Sequence, residues 1–218
     1  MSPTLGRTPT DQPIVFVIDD DASVRDALED LLRSIGLGVE SFASTQEFLH
    51  RQRHDAPGCI VLDVRLPGPS GLEFQRTLMK SGELLPVIFI SGHGDISMSV
   101  EAIKAGAIDF LTKPLHEQKL LDAIQTGIER DRARRAEEKD TAQLLERFDS
   151  LTPREREVFM IVATGRANKQ IAAELKLSEM TVKIHRSQMM RKMKAKSLVE
   201  LVRMADALAA STRSSRAT

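Results

Sequence analysis

The stretch Cys59-Ile60-Val61-Leu62-Asp63-Val64-Arg65-Leu66-Pro67-Gly68 runs apolar side chains into an aspartate and then into turn formers, with Pro69 and Gly71 close behind. A short continuous apolar run bounded in this way reads as a strand buried on both faces, as in a parallel sheet. Asp63 then stands at the carboxyl end of that strand, where open α/β sheets bind their ligands. An isolated aspartate there more often closes a turn than does chemistry. The rest of the chain decides between the two.

Working outward, Ile14-Val15-Phe16-Val17-Ile18 is a second buried strand, and it ends in Asp19-Asp20-Asp21. Val24, Ala27, Leu28, Leu31, Leu32 and Ile35 follow at helical spacing, with Gly36 as a C-terminal cap. Val39 and Phe42 suggest a short strand. The pairs Ser44/Glu47 and Ser70/Glu73 have the spacing of capping boxes that open helices. Pro86-Val87-Ile88-Phe89-Ile90 is a further buried strand, ending in Ser91-Gly92-His93-Gly94. Asp95 can cap a helix whose apolar face is Ile96, Val100 and Ile103. Ile108-Asp109-Phe110-Leu111 reads as the fifth strand and ends in Thr112-Lys113-Pro114. A helix from about Glu117 carries Leu120, Leu121, Ile124 and Ile128. Strands alternating with helices predict an α/β fold: a five-stranded, parallel, doubly wound sheet with helices on both faces.

The chain of 218 residues is long enough for two domains. Basic and acidic residues both number 31 overall, yet they are segregated. Residues 11–125 hold 10 basic and 18 acidic side chains, net −8, whereas residues 150–218 hold 14 and 6, net +8. The first part is suited to hold a cation and the second to meet a polyanion. The single cysteine, Cys59, excludes an internal disulfide and a cysteine metal site, and fits a reduced, cytoplasmic setting. No secretory signal and no membrane-spanning apolar run is apparent. His50 and His54 lie one helical turn apart without a third ligand and read as surface residues. The expected organisation is a flexible tail over 1–12, a first domain over 13–128, a helical linker over 129–148, a second domain over 149–208 and a disordered tail over 209–218. The linker's apolar positions are too sparse through its middle for more than a weak coiled-coil seam.

Beyond Asp149 only helical signals remain. Thr152-Pro153-Arg154-Glu155 opens one helix, Asn168 can cap the next, and Ser178 and Ser197 the third and fourth. Four short helices joined by tight turns predict an all-α helix-turn-helix domain. Basic residues gather on the third helix: Lys183, His185, Arg186, Arg191, Lys192 and Lys194. With Val182, Met189 and Met193 inward, Lys183, Ile184 and Ser187 form a stripe able to enter a major groove. Asn168 and Lys169 can hold phosphate at the start of the preceding helix.

In the first domain, the strand ends bring Asp19, Asp20, Asp63, Ser91 and Lys113 to one edge of the sheet. Clustered carboxylates repel unless a hard divalent cation lies among them, and Mg²⁺ favours oxygen ligands from carboxylates, water and phosphate. Lys113 adds a point charge and Ser91 a hydroxyl. The set outlines a site for a phosphoryl group on Asp63, since an aspartate carboxylate is a competent nucleophile.

The order Ile18-Asp19-Asp20, Leu62-Asp63, Ile90-Ser91 and Lys113-Pro114 resembles the receiver domain of two-component response regulators, a flavodoxin-like fold, over residues 13–128. That resemblance implies that Asp63 accepts phosphate from a sensor histidine kinase. It implies Mg²⁺ ligation by Asp20, Asp63 and the backbone carbonyl of Arg65, with Asp19 acting through water. It also implies phosphate contacts from Ser91 and Lys113, a cis Lys113-Pro114 bond, and a switch in which Phe110 moves inward. Arg65 and His93 flank the site and could steer water. Leu151-Thr152-Pro153-Arg154-Glu155, Asn168-Lys169-Gln170-Ile171-Ala172 and Thr181-Val182-Lys183-Ile184-His185-Arg186 are similar to the LuxR-type helix-turn-helix. The whole chain resembles the FixJ branch of the NarL/FixJ regulators, in which Glu157 and the Thr181 region serve the fold and the third helix reads bases. The DNA-contacting set expected from residues and resemblance together is Asn168, Lys169, Thr181, Lys183, Ile184, His185, Arg186, Ser187 and Arg191. The partners implied are a sensor histidine kinase, promoter DNA, a second copy of the chain and RNA polymerase, with no membrane. The chain would not be an enzyme beyond Mg²⁺-dependent phosphorylation and dephosphorylation of Asp63. Two rival readings are a Mg²⁺-dependent phosphatase with an aspartate nucleophile in the Asp19-Asp20-Asp21 turn, and a receiver whose output binds RNA or protein.

Overall fold

The computed structural model describes residues 12–52, 54–92 and 96–214. Most of the tail expected over 1–12, together with His93, the Asp95 cap and residues 215–218, lies outside the described residues. The chain divides into two units, 1–135 and 136–218.

The first unit is a five-stranded parallel sheet in the order β2-β1-β3-β4-β5. Its strands are β1 (Ile14–Ile18), β2 (Gly38–Phe42), β3 (Gly58–Asp63), β4 (Val87–Ser91) and β5 (Asp109–Thr112). They alternate with α1 (Ala22–Ser34), α2 (Thr45–Leu49), α3 (Gly71–Lys80), α4 (Ile96–Lys104) and α5 (Glu117–Asp149). Every residue of β3 and β4 is buried, as their unbroken apolar runs require. Alternate side chains feed two cores. Phe16, Ile60, Leu62 and Phe89 pack with Phe48, Phe74 and Leu78 on one face. Val15, Val17, Val61 and Ile88 meet Leu28, Leu32, Leu120 and Ile124 on the other. Each such fully buried aliphatic or aromatic side chain stabilises the fold by roughly 1.5–3 kcal/mol.

Local signals set the helix starts. Ser44 accepts the Glu47 N–H and opens α2, and Ser70 with Glu73 closes a full capping box at α3. On α4 the expected apolar face points the other way. Ala102 is the buried residue, while Ile96, Val100 and Ile103 are 81 %, 46 % and 48 % exposed. Periodicity reports which residues share a face and not which face the sheet covers.

The charged run after Ile128 is largely solvated helix, as expected of a linker over 129–148, except at its first turn. Asp131 is fully buried. It accepts the Gly58 N–H at 3.0 Å, and Arg134 and Arg135 donate to it at 2.5 and 2.7 Å. Arg135 also reaches Asp55 at 3.0 Å. Gly58 has no room for a side chain, because a Cβ there would lie 2.4 Å from the Ile14 carbonyl oxygen. The first unit therefore continues seven residues past the expected boundary at 128, to residue 135.

In the second unit, Leu144 and Phe148 of α5 join a core with Leu151, Val158, Phe159, Val162, Ile171, Val182, Met189, Met193 and Leu201. They serve this packing rather than a seam along the linker. The helices are α6 (Pro153–Ala163), α7 (Asn168–Leu175), α8 (Glu179–Met193) and α9 (Leu198–Ser214). Thr152 and Glu155 form the capping box of α6, and Ser178 caps α8 through the Thr181 N–H. The cap at α7 falls one residue earlier than expected, at Ala167, whose N–H donates to Gln170 Oε1. Lys176, left-handed at φ +55°, ends α7. Residues 209–214, expected to be disordered, continue α9 as helix. No helix among the described residues is long and apolar enough to cross a membrane.

Candidate functional site

Strand register assembles the site. Ile18 of β1 pairs with Leu62 of β3, so the next residues, Asp19 and Asp63, emerge side by side. Asp63 pairs with Ile90, and Ser91 with Thr112, which brings Ser91 and Lys113 to the same edge. Carboxylate oxygens of Asp19, Asp20 and Asp63 all lie within 4.8 Å of one another. Three hard oxygen donors so close, one of them exposed and two buried, fit a divalent cation such as Mg²⁺. Lys113 Nζ donates to Asp19 Oδ2 at 2.7 Å and to Asp63 Oδ2 at 2.6 Å.

Backbone groups fix the carboxylates further. The Arg65 N–H donates to Asp63 Oδ1 at 2.8 Å and the Asp21 N–H to Asp19 Oδ1 at 2.9 Å. Arg25 Nη1 donates to the Asp19 carbonyl at 2.7 Å. At Gly71 the chain returns so closely that a Cβ would lie 2.7 Å from the Asp63 carbonyl oxygen, and its N–H bonds the Val64 carbonyl at 3.0 Å. Arg25 escaped the sequence reading and Gly71 entered it only as a turn former, because their roles depend on a turn and a helix start meeting in space.

Electrostatically the cluster is under tension. Burial pushes the Asp19 carboxyl above its ordinary pKa, and the neighbouring Asp63 charge adds to this, against the hydrogen bonds from Lys113 and the Asp21 N–H. Burial alone would lower Lys113, but its hydrogen bonds and ion pairs with Asp19 and Asp63 outweigh that and raise it. Ser91 is fully buried at the end of β4. Phe110 is half-buried, its ring 6.4 Å from that of Phe89. The Lys113-Pro114 bond is cis.

In the second unit α8 turns Val182, Met189 and Met193 inward. Lys183, Ile184, Ser187 and Arg191 are exposed on the opposite side. His185 and Arg186 are half-buried, and Arg186 Nη1 donates to Asn168 Oδ1 at 2.9 Å. Lys169 is exposed at the start of α7, while the Thr181 hydroxyl lies 2.8 Å from that of Ser178 in the cap of α8. Lys192 leaves the basic group: it donates to Glu155 at 2.6 Å and to the Ser150 carbonyl at 3.2 Å. Glu155, 3 % exposed, holds the fold in the way expected of Glu157, which is exposed and pairs with Arg154. His54 pairs with Glu40 at 2.7 Å.

An acidic cluster at the carboxyl edge of a 2-1-3-4-5 sheet, ahead of a basic helix-turn-helix, is the arrangement of a receiver module followed by a DNA-binding one. Residues 15–125 match the model of the response regulator receiver domain, and residues 149–205 that of the bacterial regulatory proteins of the luxR family. Nodulation protein W of Bradyrhizobium diazoefficiens is 52 % identical over 195 residues, covering 89 % of this chain and 86 % of that protein. The transcriptional regulatory protein FixJ of Azorhizobium caulinodans is 44 % identical, covering 88 % and 90 %. Among solved structures, the response regulator StyR aligns with a TM-score of 0.81 at 48 % identity, covering 89 % of this chain and 98 % of that one. The chain belongs to the NarL/FixJ family of response regulators, two-component transcription regulators with a receiver and a LuxR-type DNA-binding domain.

Proposed function

We propose that Asp63 is the phosphoacceptor of a cytoplasmic regulator whose DNA binding is strengthened by phosphorylation and self-association. The observation that carries this is the Lys113 bridge to Asp63 and Asp19 beside Asp20. In the reaction an Asp63 carboxylate oxygen bonds to phosphorus as the P–N bond of a kinase phosphohistidine breaks, and the imidazole leaves with the electron pair. Asp19, Asp20, Asp63 and the Arg65 carbonyl would hold Mg²⁺, which neutralises phosphoryl charge when bound. Lys113 exchanges its contact with Asp63 for the phosphoryl oxygens. Ser91 closes on the same group, and Phe110 takes up the space beside β4.

The α4 stripe of Ile96, Val100 and Ile103 supports pairing of two receivers, since an exposed apolar patch of this kind marks an interaction surface. Lys183, Ile184, Ser187 and Arg191 would read bases, with Asn168, Lys169, Thr181, His185 and Arg186 positioning the helix on phosphates. RNA polymerase is the onward partner. A phosphatase using Asp19 is disfavoured because that side chain is fully buried, whereas Asp63 keeps 6 % exposure. An output onto RNA or another protein is disfavoured by the LuxR-type match.

Acetyl phosphate with Mg²⁺ is expected to give one acid-stable, hydroxylamine-labile label per chain, absent in Asp63→Asn. Label surviving that substitution would refute the assignment. Lys183→Ala should weaken promoter binding in a gel shift while labelling stays intact.

A further inference from the structure

The face of α8 turned away from its core is uneven in chemistry. Val182, Met189 and Met193 are fully buried. At about 100° per residue the positions opposite them are Met180, Ile184, Ser187 and Arg191, spaced four, three and four residues apart. All four are exposed. The first two are large and apolar, at 67 % and 50 % exposure, so the outward stripe carries no hydrogen-bonding group until Ser187. Lys183 and Gln188 flank it on either side, also exposed. Glu179, the acid of the first turn, lies about 100° round the helix from Met180 and off the stripe. Charge decides what covers this face: residues 150–218 carry net +8, and with Lys183 and Arg191 exposed beside the apolar pair the partner is a polyanion.

Resting on the reading of α8 as the DNA-contacting helix, we propose that Met180 and Ile184 select thymine by packing on its C5-methyl group in the major groove, which makes Met180 a specificity-determining residue. Recognition helices meet base edges through their N-terminal residues, and that is where this pair stands. In the major groove the thymine methyl is the apolar group, whereas N7, O6, O4 and the amino groups are acceptors and donors. Methionine or isoleucine laid over any of those strips water from a polar atom without pairing it. Laid over a methyl, it removes apolar surface from water. The two side chains leave the helix about 6 Å apart along its axis, close to two base steps of about 3.4 Å, so they take thymines within about two steps of each other. Lys183, Gln188, Ser187 and Arg191 keep hydrogen-bonding groups for the neighbouring bases and phosphates.

The test uses the full-length protein with Mg²⁺ and acetyl phosphate. A random-sequence duplex pool is enriched for binding, and the enriched duplex is remade with each thymine of a half-site replaced in turn by uracil, which removes only the methyl. Fluorescence anisotropy at fixed salt is expected to show uracil weakening binding about fourfold at each of two positions, the effect of one buried methyl group. Met180→Ala should be indifferent to uracil at one of them and Ile184→Ala at the other, while Met180→Leu keeps the preference and circular dichroism reports intact folds. Uracil tolerated at every position, while Arg191→Ala still weakens binding, leaves α8 as the DNA reader and overturns the methyl readout. Uracil sensitivity that persists in both alanine variants assigns the methyl contacts to other residues and overturns it too. If no duplex is enriched the proposal also falls, and Arg191→Ala and Lys183→Ala then decide the α8 reading, which stands where they weaken binding to the pool and falls where they do not.

Discussion

Asp19 is the residue on which the acidic edge is most strained, since it is fully buried and its carboxyl is raised from an ordinary value of 3.8. A carboxylate raised in the folded state costs stability at every pH above its ordinary value, because ionisation is easier in the unfolded chain. In Mg²⁺-free protein Asp19→Asn should therefore raise Tm by about 2–4 °C, measured by scanning calorimetry in chelator. Added Mg²⁺ should stabilise the parent protein and much less the variant. A lowered Tm in chelator would refute the strain. Lys113 carries the opposite sign: its raised value means that its contribution is complete below the ordinary lysine range and fades as pH climbs through the raised one. Asp19, Asp63, Ser91 and Lys113 were legible in the sequence because each stands at the carboxyl end of a strand, buried in β1, β3 and β4 and half-buried in β5, so chain order and register suffice to bring them together. The roles of Arg25 and Gly71 were not, since nothing local distinguishes an arginine that reaches a carbonyl or a glycine beneath another strand's end.

Between elements, two buried carboxylates act as clasps. Asp131 ties α5 to the first residue of β3, and with its oxygens taken by Gly58, Arg134 and Arg135, Asp131→Asn should destabilise the first unit by about 2 kcal/mol in urea unfolding. Sequence hid this clasp inside a run of charges that reads as solvated surface; an aspartate followed at three and four residues by arginines is commonplace on an exposed helix. Glu155 joins α6 to α8. Burial alone would raise its carboxyl, but the hydrogen bonds from Lys192 and from Thr152 lower it below 4.5. Its stabilising effect is thus complete above the ordinary value and lost as pH falls through the depressed one. Glu155→Gln should cost the second unit about 2 kcal/mol at pH 7 and leave it less sensitive to acid below pH 4.5. Helix existence and most caps were readable from Ser44, Ser70, Thr152 and Ser178, whereas the outward turn of Ile96, Val100 and Ile103 was not.

For the whole molecule, the −8 and +8 segments separate an acidic receiver from a basic DNA-binding domain, and in the proposed mechanism an acyl phosphate on the first strengthens the grip of the second. Pairing through α4 would bring two reading helices to two half-sites about 34 Å apart. The second contact would then form at a high effective concentration, raising apparent affinity by a factor of about 10²–10⁴ with no new base contact. That gain requires two half-sites. Phosphorylation should therefore tighten binding to an inverted repeat and leave a lone half-site unchanged, as read by fluorescence anisotropy at fixed salt, since phosphate contacts make the affinity salt-dependent. Val100→Asp, on the exposed stripe of α4, should still be labelled on Asp63 but lose the gain on the repeat. An equal gain on the lone half-site would mean that phosphorylation acts within one chain, and the pairing mechanism would fall.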